Sequence, residues 1–153
     1  MGFQYARENS DSIKSISFME AIVMPLKWEQ WPENARNIFQ LMRSEAGEEI
    51  VLEKNIFVER ILLNDSANGF SEEEKVEYIR PFKNPGEDRR PTLTWPRQIP
   101  IEGEPSEVVE EVSKNAEFHQ DSDIPKLFIN AEPGSILISD QREFVRTWKN
   151  LKE

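Results

Sequence analysis

Two short stretches of the chain have the apolar pattern of a buried β-strand, and an acidic residue follows each of them. Ile13 to Met19 leads to Glu20, and Pro125 to Ala131 leads to Glu132. Runs rich in Ile, Phe and Val at this length are typical of a sheet interior. Because chemistry gathers at the carboxyl ends of strands in open α/β sheets, both acids are candidate functional groups.

Most of the remaining sequence has helical periodicity. The predicted helices are Gly2 to Asn9, Pro32 to Met42, Glu48 to Leu63 with a break near Asn55, Glu72 to Arg80, Pro105 to Gln120, and Asp140 to Trp148. Capping-box spacing is present for Ser71 with Glu74 and for Asp140 with Glu143. Two strands separated by roughly a hundred residues of helix do not make a covered parallel sheet alone. We therefore predict an incomplete α/β fold.

Charge and composition exclude several function classes. The 153 residues carry a formal net charge of −10, which argues against a nucleic-acid partner because phosphate binding needs clustered Lys and Arg. The chain has no cysteine, which fits a reducing compartment, and it has neither a basic leader nor a membrane-spanning apolar run. We expect a cytoplasmic protein without a membrane partner, a metal or a cofactor.

Five segments then carry a more specific pattern. They are Phe18 to Ile22, Gly47 to Leu52, Asn55 to Glu59, Gly86 to Ile101 and Pro125 to Gly134. The most specific of them contains the run Trp-Pro-Arg-Gln-Ile-Pro at 95–100. Together these segments resemble the haloalkane dehalogenases, in the branch that includes the related coelenterazine luciferase. The resemblance extends along the whole chain and corresponds to the central and C-terminal portion of the family.

The resemblance implies an incomplete α/β-hydrolase fold in three parts. Residues 1–24 would be a core piece with a helix tail and the sixth strand. Residues 25–102 would be a helical cap, and residues 103–153 a second core piece with a helix, the seventh strand and a final helix. The implied strands are those at 13–19 and 125–131, so the resemblance and the hydrophobic pattern agree on the parallel core sheet.

The family's reaction is the displacement of a halide by an aspartate, followed by hydrolysis of the alkyl ester by a histidine-activated water. Glu20 matches the acid that orients this histidine. The family's His-Asp-Trp-Gly and His-Gly-Asn segments match nothing in this sequence, and the catalytic histidine would follow Glu153. The resemblance therefore implies one triad member of three, an inactive chain by itself, and a site that needs further N-terminal and C-terminal core segments.

Three other features of the sequence also concern a possible site. Glu132 is an alternative triad acid, because other hydrolases of this fold place the acid after the seventh strand. His119 lies in a helix and is interpreted as a surface or core histidine without a catalytic part. The pair Arg89-Arg90 is either an anion site or, beside Glu87 and Asp88, a local charge network.

The resemblance also implies a pocket for a small halogenated hydrocarbon. Its lining and entrance would be formed by Trp31, Pro32, Phe39, Phe57, Ile61, Trp95, Pro96, Ile99, Ser135 and Ile136. Asp65 would make the entrance more polar. Without the resemblance, most of these residues are simply core. Two further hypotheses stay open for the chain: a non-catalytic module that binds a hydrophobic ligand or a partner, and a fragment of a luciferase-like oxygenase.

Overall fold

The computed structural model describes residues 1–64 and 68–153, which divide into two compact units. The first, called the core unit here, comprises Met1–Glu33 and Pro100–Glu153, and the second, the helical unit, is Asn34–Ile99. Asp65, interpreted above as an entrance residue, lies outside the described residues. No helix in the described parts of the chain is long and apolar enough to cross a membrane.

Helices separate the strands as predicted, and one helix, Arg90–Arg97, was not predicted. The helices are α1 (Gly2–Glu8), α2 (Glu33–Arg43), α3 (Glu72–Ile79), α4 (Arg90–Arg97), α5 (Ser106–Asp121) and α6 (Ser139–Arg146). The strands are β1 (Ile16–Phe18), β2 (Lys126–Phe128) and β3 (Leu151–Lys152). Two π-helical segments, Glu48–Glu53 and Phe57–Ile61, lie between α2 and α3.

The strands form one parallel sheet in the order β1-β2-β3. In its register Phe18 stands opposite Phe128, and Lys126 stands between Ile16 and Leu151. The predicted α/β class is confirmed, with both predicted strands present but shorter than their apolar patterns. Strand β3 was not predicted, because two residues are too few to display a strand period.

Aromatic side chains fill the core on one face of the sheet. Phe18 stacks on Phe128 with ring centroids 5.5 Å apart, and Phe3 meets Phe18 and Trp148 edge-on at 5.3 and 5.6 Å. Val23, Leu137 and Val145 complete the buried cluster. Burial of each such side chain stabilises the fold by about 1.5–3 kcal/mol, so the aromatic cluster fixes α1 and α6 against the sheet.

In the helical unit, two local predictions are confirmed. Asn55 adopts a positive φ of 54° between the two π-helical segments, which explains the predicted break. At the start of α3 the Ser71 hydroxyl accepts from Glu74 N at 3.2 Å, and Ser71 N donates to the Glu74 carboxylate at 2.8 Å. This reciprocal pair is the predicted capping box.

The second predicted capping box is wrong. Helix α6 begins at Ser139, with Ile138 at its N-cap and no side-chain cap. Asp140 instead accepts a hydrogen bond from Gln30 Nε2 at 3.1 Å, and Glu143 pairs with Arg146 at 2.7 Å. Asp140 and Glu143 thus bind other side chains, which the capping-box spacing by itself could not predict.

Candidate functional site

Glu20 stands two residues beyond the end of β1, at the carboxyl edge of the sheet. Its backbone φ is 41°, a left-handed conformation that is uncommon for a residue with a side chain. Backbone strain of this kind persists where surrounding contacts enforce it, and such positions cluster at functional sites. The left-handed backbone at Glu20 is therefore a feature that its contacts with the loop after β2 hold in place.

One oxygen of the Glu20 carboxylate is held by two backbone amides of that loop. Ser135 N donates to Oε2 at 2.7 Å and Ile136 N donates to the same atom at 2.6 Å. Hydrogen bonds from amides to an ionised carboxylate are short and about twice as strong as neutral ones. Ser135 and Ile136, predicted as pocket residues, thus contribute main-chain donors to the candidate acid.

The other oxygen of Glu20 has a different environment. Oε1 is buried and accepts no hydrogen bond within the described parts of the chain. A buried carboxylate acceptor without a partner is costly. The carboxylate is therefore rigidly oriented, with one acceptor oxygen suited to a ring or backbone N–H.

Among the described residues, no backbone amide is seen to bind the Glu132 carboxylate. Its side chain is 78% exposed, and it forms a long ion pair of 3.4 Å with Arg142. Exposed pairs of this length contribute little to stability. The two candidate acids follow neighbouring strands, but only Glu20 is fixed by backbone donors.

Arg142 is a residue that the sequence analysis did not single out. Its Nε donates to Leu137 O at 3.0 Å and its Nη2 donates to Ala131 O at 3.3 Å. It stands in the first turn of α6, where the helix dipole disfavours a cation. This unfavourable position is the signal in the sequence that could have indicated contacts of Arg142 outside its own helix.

His119 is a core histidine. It is fully buried, its Nε2 lies 2.9 Å from Phe3 O, and its ring stacks on Trp148. Because a carbonyl accepts, Nε2 carries the proton in this arrangement. Burial lowers the pKa of the His119 imidazole, the bond to Phe3 opposes this, and Lys126 and Arg7 lower it further. The structure places no contact between His119 and Glu20.

The predicted pocket residues fall in both units. In the core unit Trp31 is buried and Pro32 is half-buried. In the helical unit Trp95 meets Phe57 and Phe39 in T-shaped contacts, with centroids 5.9 and 6.5 Å apart, and is itself 54% exposed. Of the remaining members of that unit, Pro96 and Ile99 are buried and Ile61 is half-buried.

The arginine pair in the helical unit forms internal contacts. Arg89 is buried and donates to the carbonyls of Leu52, Glu53, Phe82 and Lys83 at 2.7–3.2 Å. Arg90 pairs with Glu48 at 2.8 Å and with Glu87 at 2.6 Å. Arg90 thus forms the predicted local charge network, and Arg89 fixes the end of the first π-helical segment.

The described residues contain no group of three acidic, histidine or cysteine side chains that could hold a metal ion. No protein-family model matches the chain. Curated proteins and solved structures do.

A haloalkane dehalogenase from Sphingobium indicum is 48% identical over all 153 residues, which cover 52% of that protein. One from Mycolicibacterium smegmatis is 44% identical, with 100% of this chain covering 50% of it. Coelenterazine h 2-monooxygenase from Renilla reniformis is 39% identical over 96% of this chain and 49% of its own length. The chain thus spans about half the length of the curated relatives it matches.

Among solved structures, the haloalkane dehalogenase DbeA from Bradyrhizobium elkani superimposes with a TM-score of 0.89 at 32% identity. The match covers 99% of this chain and 53% of that one. The three-stranded parallel sheet and its helices therefore correspond to part of the fold seen in these structures.

Proposed function

Given that this chain is related to the haloalkane dehalogenases along its whole length, we propose that it forms the acid-bearing part of an α/β-hydrolase that cleaves carbon–halogen bonds. Glu20 is the triad acid in this proposal, and a small halogenated hydrocarbon is the substrate. One observation carries it. The Glu20 carboxylate is fixed by two amides through Oε2 and keeps a buried acceptor at Oε1.

A carboxylate held in this way has a defined chemical use. It accepts the ring N–H of a histidine, selects its tautomer, and stabilises the imidazolium that forms when the histidine deprotonates water. His119 does not serve, because its protonated nitrogen is bonded to Phe3 O. We propose that the histidine and the aspartate nucleophile belong to further core segments, and that these 153 residues alone are inactive.

The contrast between the two acids supports Glu20 over Glu132. Glu20 is bound by backbone donors at 2.6–2.7 Å, whereas Glu132 is largely exposed and contacts one arginine at 3.4 Å. Orientation of a histidine requires a carboxylate whose own position is fixed. Glu132 stays the alternative triad acid, and the Glu20→Gln and Glu132→Gln variants described below distinguish between the two.

Substrate selection belongs, in this proposal, to a helical cap at residues 25–102. The cluster of Phe39, Phe57 and Trp95 supports it, because an exposed aromatic edge suits an apolar halogenated substrate. The reaction needs no cofactor, and we propose a cytoplasmic location. Neither a nucleic acid nor a membrane takes part.

The first experiment measures halide release from 1,2-dibromoethane and 1-chlorobutane. The isolated chain is expected to match buffer, and a rate well above buffer contradicts its proposed inactivity. A chimera, in which the 153 residues replace the matching part of the Sphingobium indicum relative, is expected to release halide. An inactive chimera that folds would argue for the non-catalytic binding module.

The second experiment identifies the acid in that chimera. Glu20→Gln is expected to lower kcat about a thousandfold or more, as removal of a triad acid does. Glu132→Gln is the matched control and is expected to stay within a few-fold of the parent chimera. The reverse ranking would assign the role to Glu132.

A second candidate function is a luciferase-like oxygenase, favoured by the 39% identity to coelenterazine h 2-monooxygenase. It predicts light emission from a chimera with the Renilla reniformis protein on addition of coelenterazine. It also predicts no halide release from the chimera with the Sphingobium indicum relative. The two measurements therefore separate the candidates.

A further inference from the structure

We propose that Arg142 is a positioning residue for Glu20, acting through the loop at residues 131–137. This inference rests on the proposed role of Glu20 as the triad acid. The loop follows β2, and its Ser135 and Ile136 amides hold the carboxylate. Arg142 bonds to the first and the last carbonyl of the same loop.

The hydrogen bonds of Arg142 connect the two ends of this loop. Arg142 Nε donates to Leu137 O at 3.0 Å, and Nη2 donates to Ala131 O at 3.3 Å. A planar guanidinium carries its donors in a fixed fork, so two bonds to the two ends of a loop fix their separation. The two amides that bind Glu20 lie between those ends and are directed by that separation.

Gly134 shows how closely the parts pack. A Cβ placed there would lie 3.1 Å from Glu20 Oε1, 3.1 Å from Ala131 O and 3.2 Å from Arg142 Nη2. Carboxylate, loop backbone and guanidinium thus converge on one residue without a side chain. The Arg142 side chain is 19% exposed, so its charge acts in a partly desolvated setting close to the buried oxygen of Glu20.

The sequence offers a matched control on the same helix. Arg146 lies one turn after Arg142 and pairs with Glu143 and Glu153 at 2.7 and 2.8 Å. Arg146→Gln removes the same charge as Arg142→Gln but leaves the loop contacts intact. A general effect of charge or of α6 would therefore appear in both variants.

The test measures the amide proton shifts and hydrogen-exchange rates of Ser135 and Ile136 by NMR on the full 153-residue chain. Glu20→Gln provides the reference for weakened bonds to the carboxylate. In Arg142→Gln we expect both amide signals to move toward their Glu20→Gln positions, and their exchange to accelerate about tenfold or more. In Arg146→Gln both are expected to stay at the parent values.

Two results overturn the proposal. One is Arg142→Gln with both amides unchanged, and the other is equal acceleration across α5 and α6, which marks a merely structural role. If Arg142→Gln gives no folded spectrum, Arg142→Lys decides. An ammonium carries its donors on one atom and lacks the planar fork whose Nε and Nη2 reach the two carbonyls separately, so the same two amides must change. Failure here leaves the Glu20→Gln result in the chimera untouched, so the two proposals fail separately.

Discussion

His119 is the one histidine of the sequence, and its burial makes it a pH-sensitive group of the core unit. Its pKa is lowered by burial from the ordinary value of 6.5. The unfolded chain therefore binds a proton below about pH 6.5 that the folded chain resists. We predict that the free energy of unfolding is constant above this pH and falls below it, by at most about 1.4 kcal/mol per pH unit.

Urea unfolding of dilute protein between pH 7.5 and 5.5 measures this slope. In His119→Phe, which keeps an aromatic ring beside Phe3 and Trp148, the slope is expected to vanish. Carboxylates titrate mainly below this window and contribute little to it. An identical slope in parent and variant would show that another group is responsible.

At the scale of elements, Gly47 joins α2 to the first π-helical segment in a place without room for a side chain. A Cβ there would lie 2.1 Å from Met42 O and 2.8 Å from Arg97 Nη2. Arg97 itself donates to Met42 O at 3.1 Å and to Ser44 O at 3.0 Å, and so binds the end of α2. Both backbone and arginine must move if a methyl group is added.

We predict that Gly47→Ala destabilises the protein by about 1–3 kcal/mol, as overpacking of a tight site does. The midpoint of urea unfolding measures the change. Gly2→Ala is the control, since a Cβ at Gly2 meets nothing within 4 Å, and it is expected to be neutral or slightly stabilising. Equal midpoints for Gly47→Ala and the parent would contradict the close contact.

The two predicted capping boxes show how far local spacing determines structure. Ser71 and Glu74 are exposed and their side chains bind the backbone of each other, so their spacing is sufficient. Asp140 has the same spacing to Glu143, yet it binds Gln30, 110 residues away. The rule fails where tertiary contacts supply a competing partner.

At the scale of the molecule, the parallel sheet has one face that the structure leaves exposed. Strand residues alternate between faces, and Met19, Leu127 and Ile129 are 54%, 39% and 47% exposed while Phe18 and Phe128 are buried. Parallel sheets are normally covered on both faces. Open apolar sheet surface of this kind promotes association.

We therefore predict that the isolated chain self-associates with rising concentration, as measured by analytical ultracentrifugation. Leu127→Lys combined with Ile129→Lys is expected to shift it toward monomer. Val76→Lys is the matched control, because Val76 is 63% exposed in α3 of the helical unit. A parent chain that stays monomeric and melts in one cooperative transition would instead favour the binding-module hypothesis.

The sequence by itself determined the α/β class, the resemblance to the haloalkane dehalogenases and the two candidate acids. Each of these depends on the identity of side chains or on a local hydrophobic period, and both can be read directly from the sequence. The interpretation of His119 as a histidine without a catalytic part stays a prediction, and the structure shows only that it is buried and bonded to Phe3 O. The division into cap and core stays a prediction.

Only the tertiary structure decided how the environments of Glu20 and Glu132 differ. The donors to Glu20 are backbone amides 115 and 116 residues away, and every residue except proline has such an amide. Strand β3 and the contacts of Arg142 likewise depend on hydrogen bonds to backbone groups. Because backbone amides are alike in almost all residues, the sequence does not show which of them bind Glu20. These hydrogen bonds form only when the loop after β2 folds beside β1.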